Sequence, residues 1–467
     1  MKIAVIGGGV AGITACYNLS KKGKDIKITL IEKEKRLGGL AKSFIYEERF
    51  VFDIGPKRFH TDDKDVIEFL KEIGNHARLI NIGRVSKVFF LDKYFSWPLS
   101  RKDLFKLPVG TTIKSILDLL FRKTYTPQQL LNFENFIVSK YGKTLYDHFF
   151  KSYTEKFLHL KSEFIHSDWA STGINRSIIN KEHKGNSLIE LAQQLLLPSI
   201  VDANFLYPEK NGFGSFWDTC ASIMTDSGNV TVETDKTIQI ISRRGDRLLL
   251  SLSDGRVMEF DYIFWSGKLT DLLVSINSNN TGVCHLPFID TIFVDLVFKG
   301  DNIIIRDAIC QWLYISSPKY KISRISMPKS FNHRNIPEGY QALCVEVTVP
   351  ERAQDINDTI IKDVLDELTS LRIISGKAEL YYSNVHREHA TYPVYHRNYK
   401  EESSKAFEII KRFSDAVIPI GRSGCFWYNN ADHSIKQALF LTNALMDGRT
   451  LQFDFRKYFG GISETIN

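Results

Sequence analysis

The chain opens on a short apolar run, Lys2 to Ile6, that passes straight into glycine. An amphipathic segment from Ala11 to Lys21 follows, and a second apolar run, Ile26 to Ile31, closes the unit. Short apolar runs separated by a segment of helical period predict strand, turn, helix and strand. Alternating apolar residues from Phe50 then lead into a Gly55-Pro56 turn, and VIEFLKEIG, between Asp65 and Gly74, again has helical period. From Arg84 to Leu99 two strand-like runs, VSKVFFL and YFSWPL, flank a turn at Asp92-Lys93. After Ser100 the period becomes helical, with helices expected at Lys102 to Leu107, Thr112 to Arg122, Pro127 to Tyr141, Thr144 to Lys156 and Ser187 to Leu197. The stripe Ile113, Ile116, Leu117 and Leu120 is expected to pack inside this block rather than lie on a membrane surface.

Strand patterns return at Phe205. Ser215 to Met224 reads as a helix, Val230 to Ile241 and Arg247 to Leu252 alternate, Asp254-Gly255 makes a hairpin turn, and Val257 to Phe264 completes a meander. Strand-rich segments (IDTIFVDLVF, QWLYIS, RISMP, QALCVEVTV) continue to about Tyr382 and predict a mostly antiparallel wall. Near the end, Ala416 to Gly421 reads as a buried strand and Arg422 to Asn430 as a glycine and aromatic loop. Asp432 to Met446 reads as an amphipathic helix with Asp432 as its N-cap.

The chemistry begins in the first turn. Gly7, Gly9 and Gly12 have GxGxxG spacing: the first permits the tight turn, the second lets a pyrophosphate approach the backbone, and the third lets helix and strand pack closely. The helix N-terminus behind them can hold phosphates through free amides and its dipole. Glu32 ends the second strand about twenty residues past the last glycine, where a carboxylate can accept ribose hydroxyls; a solvated strand-end charge is the plain alternative. The strand, loop and helix around Gly421, Arg422, Asp432 and Ser434 form a second anion-binding corner.

Glu32, Arg36, Gly38 and Gly39 spell E-x3-R-x-G-G, which resembles the extended fingerprint of FAD flavoproteins of the amine oxidase, protoporphyrinogen oxidase and UDP-galactopyranose mutase group. The resemblance runs over about residues 1 to 450. GPKRFHT resembles the GPHIFHT-type loop beside the isoalloxazine in the mutases, with Gly55, Pro56 and His60 in place and Lys57 replacing the first histidine. Tyr207-Pro208 with Gly212 and Gly214 resembles the YPxxGxG turn over the flavin, and GRSGCFWYNNADHS resembles the terminal flavin motif. In the segment from Tyr141 to Trp169, S-Y-T-E-K resembles the mutase pattern, which implies that Tyr153 touches a substrate nucleotide; a core role is the alternative. Arg324 aligns with a substrate-diphosphate arginine. The partner arginine expected near Gly173 is absent, leaving Arg176 as a displaced candidate. Tyr392, Tyr428 and Asn430 fall at substrate positions, Asn430 replacing an acid. Leu158 stands where a tryptophan is usual.

The resemblance implies a Rossmann-like FAD-binding domain of the glutathione reductase type (residues 1–84, 203–270 and 386–467). A helical insertion (100–202) and a mostly antiparallel β-sheet substrate domain (85–99 and 271–385) interrupt it. It implies FAD as cofactor and two mechanisms. In a mutase, reduced flavin attacks the anomeric carbon of a nucleotide sugar through N5, arginines hold the departing diphosphate, and the ring recloses as a furanose for bacterial surface polysaccharide. In an oxidase or desaturase, the flavin takes a hydride from an amine or apolar substrate. His60, Arg324, Arg176, Tyr392 and Tyr428 are the candidates for catalytic contacts. NAD(P)H is a candidate reductant and a homodimer a candidate assembly.

Composition narrows this only slightly. The chain has 467 residues, 43% hydrophobic and 25% charged, enough for two or three full cores. Lys plus Arg number 61 against 54 acids, a net +7 without a basic run, which suits an anionic small molecule; no nucleic-acid motif accompanies it. Six scattered cysteines (Cys16, Cys220, Cys284, Cys310, Cys344, Cys425) form no ligand spacing, and twelve histidines show none either, so no metal site is expected. The scattered thiols, the lack of a signal segment and the lack of an apolar run of about 18 residues point to a cytoplasmic protein.

Overall fold

The computed structural model describes residues 1–97, 103, 106, 108–121, 123–173, 205–276, 284–351, 353 and 358–451. Arg176 and the helix expected at Ser187 to Leu197 lie outside these residues, as does most of the one expected at Lys102 to Leu107. The first strand, Lys2–Ile6, is apolar on both faces and takes the centre of a five-stranded parallel sheet in the order Val417–Pro419, Tyr262–Trp265, Lys2–Ile6, Lys27–Ile31 and Val230–Glu233. Its alternation decides what covers it. Ile3 and Val5 pack with Ile13, Phe216 and Ile435 from the helices Val10–Ser20, Gly214–Asp226 and Ala431–Met446. Ala4 and Ile6 pack with Leu248, Leu250 and Phe260 of an antiparallel meander on the other face.

Two expected strands divide. Val230 to Ile241 breaks at Asp235, whose φ of 58° turns the chain; Val230–Glu233 edges the parallel sheet and Ile238–Arg244 starts the meander. Val257 to Phe264 breaks at Asp261, whose amide donates to the Lys2 carbonyl at 2.8 Å and whose carboxylate accepts from the Lys2 amide at 2.6 Å. That residue hands the chain from one sheet to the other.

The second large sheet has seven strands in the order Glu379–Pro393, Phe288–Lys299, Tyr340–Pro350, Arg324–Ser326, Trp312–Ile315, Ser86–Phe90 and Lys93–Ser96. All neighbours are antiparallel except Trp312–Ile315 with Ser86–Phe90. On Phe288–Lys299 the even residues Ile292, Val294, Leu296 and Phe298 enter a core with Val364 and Leu368 of the helix Ile360–Ser370, which the strand reading of this stretch did not anticipate. The odd residues Thr291, Phe293 and Asp295 face the opposite way. Glu379–Pro393 runs unbroken to Pro393, past the expected boundary at 385.

In the insertion, Val109–Leu120 and Phe133–Tyr141 are helices, and Lys143–Leu145, Tyr146–Lys151 and Ser152–Leu158 follow one another as a single helical path with a widened central turn. The Lys156 ammonium, in the SYTEK segment, donates to the carbonyls of Ile315 (2.6 Å), Ser317 (3.1 Å) and Ile322 (2.8 Å) and so ties the insertion to the seven-stranded sheet. The stripe expected to pack does not: Ile113, Ile116, Leu117 and Leu120 are 45–58% exposed. Helical period specifies one apolar face, and nothing in it specifies the partner.

One buried carboxylate joins two small two-stranded sheets that lie between the large ones. Asp53 accepts from Ser43 Oγ (2.5 Å), the Tyr207 hydroxyl (2.7 Å) and the Phe213 amide (2.8 Å), linking the hairpin Ser43–Tyr46 and Phe50–Asp53 to the Phe205–Pro208 strand and the helix after it. Gly212 and Gly214 are needed here, since a Cβ would lie 2.5 Å from Asp53 Oδ1 at the first and 2.4 Å from the Ser43 amide at the second. Asp53→Ala strips three buried donors of their acceptor at about 1–3 kcal/mol each. It should lower the urea midpoint followed by tryptophan fluorescence, and Asp53→Asn, which keeps one acceptor oxygen, should lower it less. An unchanged midpoint for Asp53→Ala would contradict this linking role.

Candidate functional site

The two glycine corners meet at one end of the parallel sheet. Gly7 has φ 93°, and a Cβ on Gly12 would stand 1.9 Å from the Gly7 carbonyl oxygen, so helix and turn approach as closely as only glycine permits. Gly38 donates to the Gly8 carbonyl at 2.7 Å, and a Cβ on Gly39 would touch Gly9 Cα at 3.1 Å. Gly9 itself faces open space: its Cβ would meet nothing nearer than 4.0 Å. The helix it begins has no side-chain cap and no acid in its first turn, which leaves its amides for an anion. Glu32 is buried, fixed by the Gly8 amide at 2.6 Å and the Glu34 amide at 2.9 Å, one on each oxygen. Each oxygen keeps a lone pair for a ribose hydroxyl.

From the C-terminal corner, Gly421 (φ 73°) presses on Ala11, where a Cβ would come within 2.8 Å. At the far ends Asn18 donates to Thr442 at 2.7 Å and Asn443 at 2.9 Å, so the helices Val10–Ser20 and Ala431–Met446 run the same way with their N-termini at the same end. Other residues expected at the cofactor make the following contacts within the chain. Arg36 donates to the Ser43 carbonyl at 2.6 Å and pairs with Asp218 at 2.7 Å. Asn430, exposed, caps the last helix in a reciprocal box with His433, the position expected of Asp432. Asp432 lies 3.6 Å from His433, and Ser434 hydrogen-bonds Asn429 at 3.0 Å. The Arg422 guanidinium donates to the carbonyls of Thr391 (2.8 Å) and Asn429 (2.5 Å).

The GPKRFHT loop runs between the two sheets. Gly55 (φ 53°), followed by buried Pro56, lies on Arg324 and Glu346; a Cβ would sit 3.2 Å from Arg324 Nη2. The Lys57 ammonium donates to the carbonyls of Leu40, Ile54 and Gly55. Burial first, then the charges of Arg422 and Arg324, lower it to about 7. His60 is exposed, its ring 4.8 Å from that of Phe205.

Across the seven-stranded sheet the register lines up Tyr314, Arg324, Glu346, Phe293 and His386 on one face. Arg324 Nε donates to Glu346 Oε1 at 2.8 Å; Glu346 is 1% exposed and its Oε2 has no partner among the described residues. Tyr153 reaches this row from the insertion, with its ring 6.1 Å from that of Tyr314. Tyr392 and Tyr428 stand edge to face at 5.4 Å, the Arg422 guanidinium 5.4 Å from both rings, and Tyr428 stacks on Trp169 at 4.9 Å. Burial raises the hydroxyls of Tyr153, Tyr392 and Tyr428, so all three are donors at neutral pH. Thus Tyr153, Arg324, Tyr392 and Tyr428 converge, while Asn430 caps the last helix and His60 packs on Phe205. Sequence reading missed Tyr314 and Glu346, which no motif marks; only strand alternation and pairing bring them in.

A profile of NAD(P)-binding Rossmann-like domains matches residues 5–73. Protoporphyrinogen oxidase of Saccharomyces cerevisiae is 34% identical over 126 residues, 25% of this chain and 23% of that protein. The 4,4'-diapophytoene desaturase (4,4'-diaponeurosporene-forming) of Staphylococcus haemolyticus is 26% identical over 190 residues, 41% of this chain and 34% of that protein. The chain therefore matches about a third or less of the length of these curated relatives. A crystal structure of reduced UDP-galactopyranose mutase is similar over 99% of this chain and 98% of that one, with TM-score 0.81 and 18% identity. The fold is that of the UDP-galactopyranose mutase structure, and the dinucleotide that the two corners fit is FAD.

Lys57 gives a pH test. An unfolded chain carries it charged up to the ordinary lysine range, whereas the folded chain releases the proton from about 7. Between those values the unfolded state binds more protons, so folding stability gains with rising pH. The stability of the parent protein minus that of Lys57→Met should be flat below about 7 and rise above it. A difference independent of pH from 6 to 10 would show that Lys57 keeps an ordinary affinity for its proton.

Proposed function

We propose that the protein is an FAD-dependent mutase of nucleotide sugars, interconverting pyranose and furanose forms of a sugar carried on a nucleoside diphosphate. The observation that carries this reading is the convergence of Tyr153, Tyr314, Tyr392 and Tyr428 around Arg324, with Arg422 behind two of the rings. Hydroxyl donors and guanidinium edges suit sugar hydroxyls and phosphate oxygens; a purely apolar substrate would leave them unpaired. The likeness of fold to UDP-galactopyranose mutase over nearly the whole chain supports the same reading.

Reduced FAD supplies, when bound, the nucleophile for the anomeric carbon, so the chain needs no nucleophilic side chain. Its own residues then position and stabilise. Tyr392 and Tyr428 form one wall and keep water from the sugar, while Tyr153 flanks the nucleotide. Arg324, spent through Nε on Glu346, offers its remaining N–H groups to the departing phosphate. A second reading, an oxidoreductase, is favoured by the sequence match to protoporphyrinogen oxidase, a protein whose name denotes oxidation. There the same residues would orient a C–H bond.

The two separate in one assay. Dithionite-reduced protein is incubated with uridine and thymidine diphosphate sugars and the products are separated. A product of unchanged mass that requires reduced flavin is the expected result. Net oxidation with oxygen consumption and no isomer would overturn the mutase in favour of the oxidoreductase.

A further inference from the structure

Two arginines beside the tyrosine row have no acidic partner among the described residues. Arg58 precedes Phe59, whose ring is buried among Phe213, Phe216 and Trp217 and whose backbone bonds Leu206 in both directions at 2.9 and 3.1 Å. Strand-like alternation turns Arg58 the other way. Its guanidinium lies 3.3 Å from the centre of the Phe205 ring and 4.3 Å from that of Trp312, so aromatic faces hold it in place without cancelling its charge. Arg84 lies exposed in the loop between Leu79–Ile82 and Ser86–Phe90.

Gln311 brings the two together. It is 3% exposed, and its Oε1 accepts from Arg58 Nη1 at 3.1 Å and from the Val85 amide at 3.1 Å, while its Nε2 donates to the Gly83 carbonyl at 2.8 Å. One buried amide thus grips Arg58 and both residues flanking Arg84. Burial and then the charge of Arg84 pull the Arg58 guanidinium below its ordinary range. Among the described residues neither arginine forms an ion pair with a carboxylate. Holding two like charges together in a scaffold costs stability unless something anionic joins them. Trp312 and Tyr314 leave one strand on the same face, two residues apart, so Arg58 on the Trp312 ring sits beside Tyr314, whose ring is 6.1 Å from that of Tyr153, and the pair borders the pocket.

We propose that Arg58 and Arg84, gripped by Gln311, form an anion subsite on the Tyr314 side of the pocket that takes a phosphate or carboxylate group of the substrate. It rests on the reading of the pocket as a substrate site, and in the mutase it receives the diphosphate charge that Arg324, paired with Glu346, cannot carry alone. The shared chemistry is a two-oxygen anion meeting a guanidinium fork. Its source is a nucleoside diphosphate in the mutase and an acidic porphyrin in the oxidase.

The test uses the flavin-loaded full chain titrated with uridine diphosphate, with uridine, and with protoporphyrin IX, at low and high salt. Arg84→Gln alters an exposed loop position; Arg58→Gln is the second variant, and flavin content reports folding in both. The expected result is that Arg84→Gln weakens uridine diphosphate by about tenfold or more, the scale of one charge-assisted hydrogen bond, and reduces its salt dependence, with uridine unaffected. If the parent binds uridine diphosphate and the variants bind it equally well, the subsite is overturned while the nucleotide reading stands. If only protoporphyrin binds, and binding depends on Arg84, the subsite stands and the mutase falls. Binding of neither anion by the parent overturns the subsite.

Discussion

The site depends on the register of three strands more than on any single motif. Arg324 faces Glu346 on one side and Tyr314 on the other, and side chains in a strand alternate with period two. A slip of one residue would drive Arg324 and Glu346 into the core of Val345, Ile325 and Leu313, where neither charge could be solvated. The buried pair thus fixes the register, because removing either partner strands the other. It also restrains Arg324: with Nε on a carboxylate that is 1% exposed, the arginine enters any substrate contact already partly neutralised.

The cofactor end obeys a different constraint, closeness of backbone. Gly12 against the Gly7 carbonyl and Gly421 against Ala11 draw two helix N-termini toward one edge of the parallel sheet. A Cβ on Gly424 would lie 2.3 Å from the Trp265 carbonyl oxygen, so the C-terminal corner sits equally tight on the strand beside Lys2–Ile6. Close packing is what turns two separate stretches, more than four hundred residues apart, into one place for a dinucleotide. The seven-stranded sheet joins this place through the GPKRFHT loop, whose Gly55 lies on Arg324, Glu346 and Phe293.

Much of this was legible in the sequence because short-range signals carried it. Lys2–Ile6, the glycines, Glu32 and the meander are local patterns, and Phe288–Lys299 and Tyr340–Pro350 were plain as long apolar strands. What escaped was set by long-range competition. Asp261 divides an unbroken apolar run because its hydrogen bonds lie with Lys2, 259 residues away. Ile360–Ser370 sits among strands, and its helical period was overlooked there. Asn430 outcompetes Asp432 as a cap because the helix begins at Ala431. Tyr314 and Glu346 reach the site by pairing alone, and pairing leaves no mark in a single chain.

How the cations are satisfied separates structural charges from working ones. Arg36 and Lys42 end on Asp218 and Glu34, and their charge is spent inside the protein. Arg422 ends on two carbonyls and Arg58 on an amide oxygen and two rings. Carbonyl and aromatic partners orient a guanidinium without cancelling it, since they carry dipoles or quadrupoles and no net charge. Glu346 offsets one cation beside the pocket, while Arg422, Arg58 and Arg84 keep theirs. With Arg58 and Arg422 held against rings, where solvent screening is weaker than at the surface, that surplus makes the pocket attract an anion before any specific contact forms.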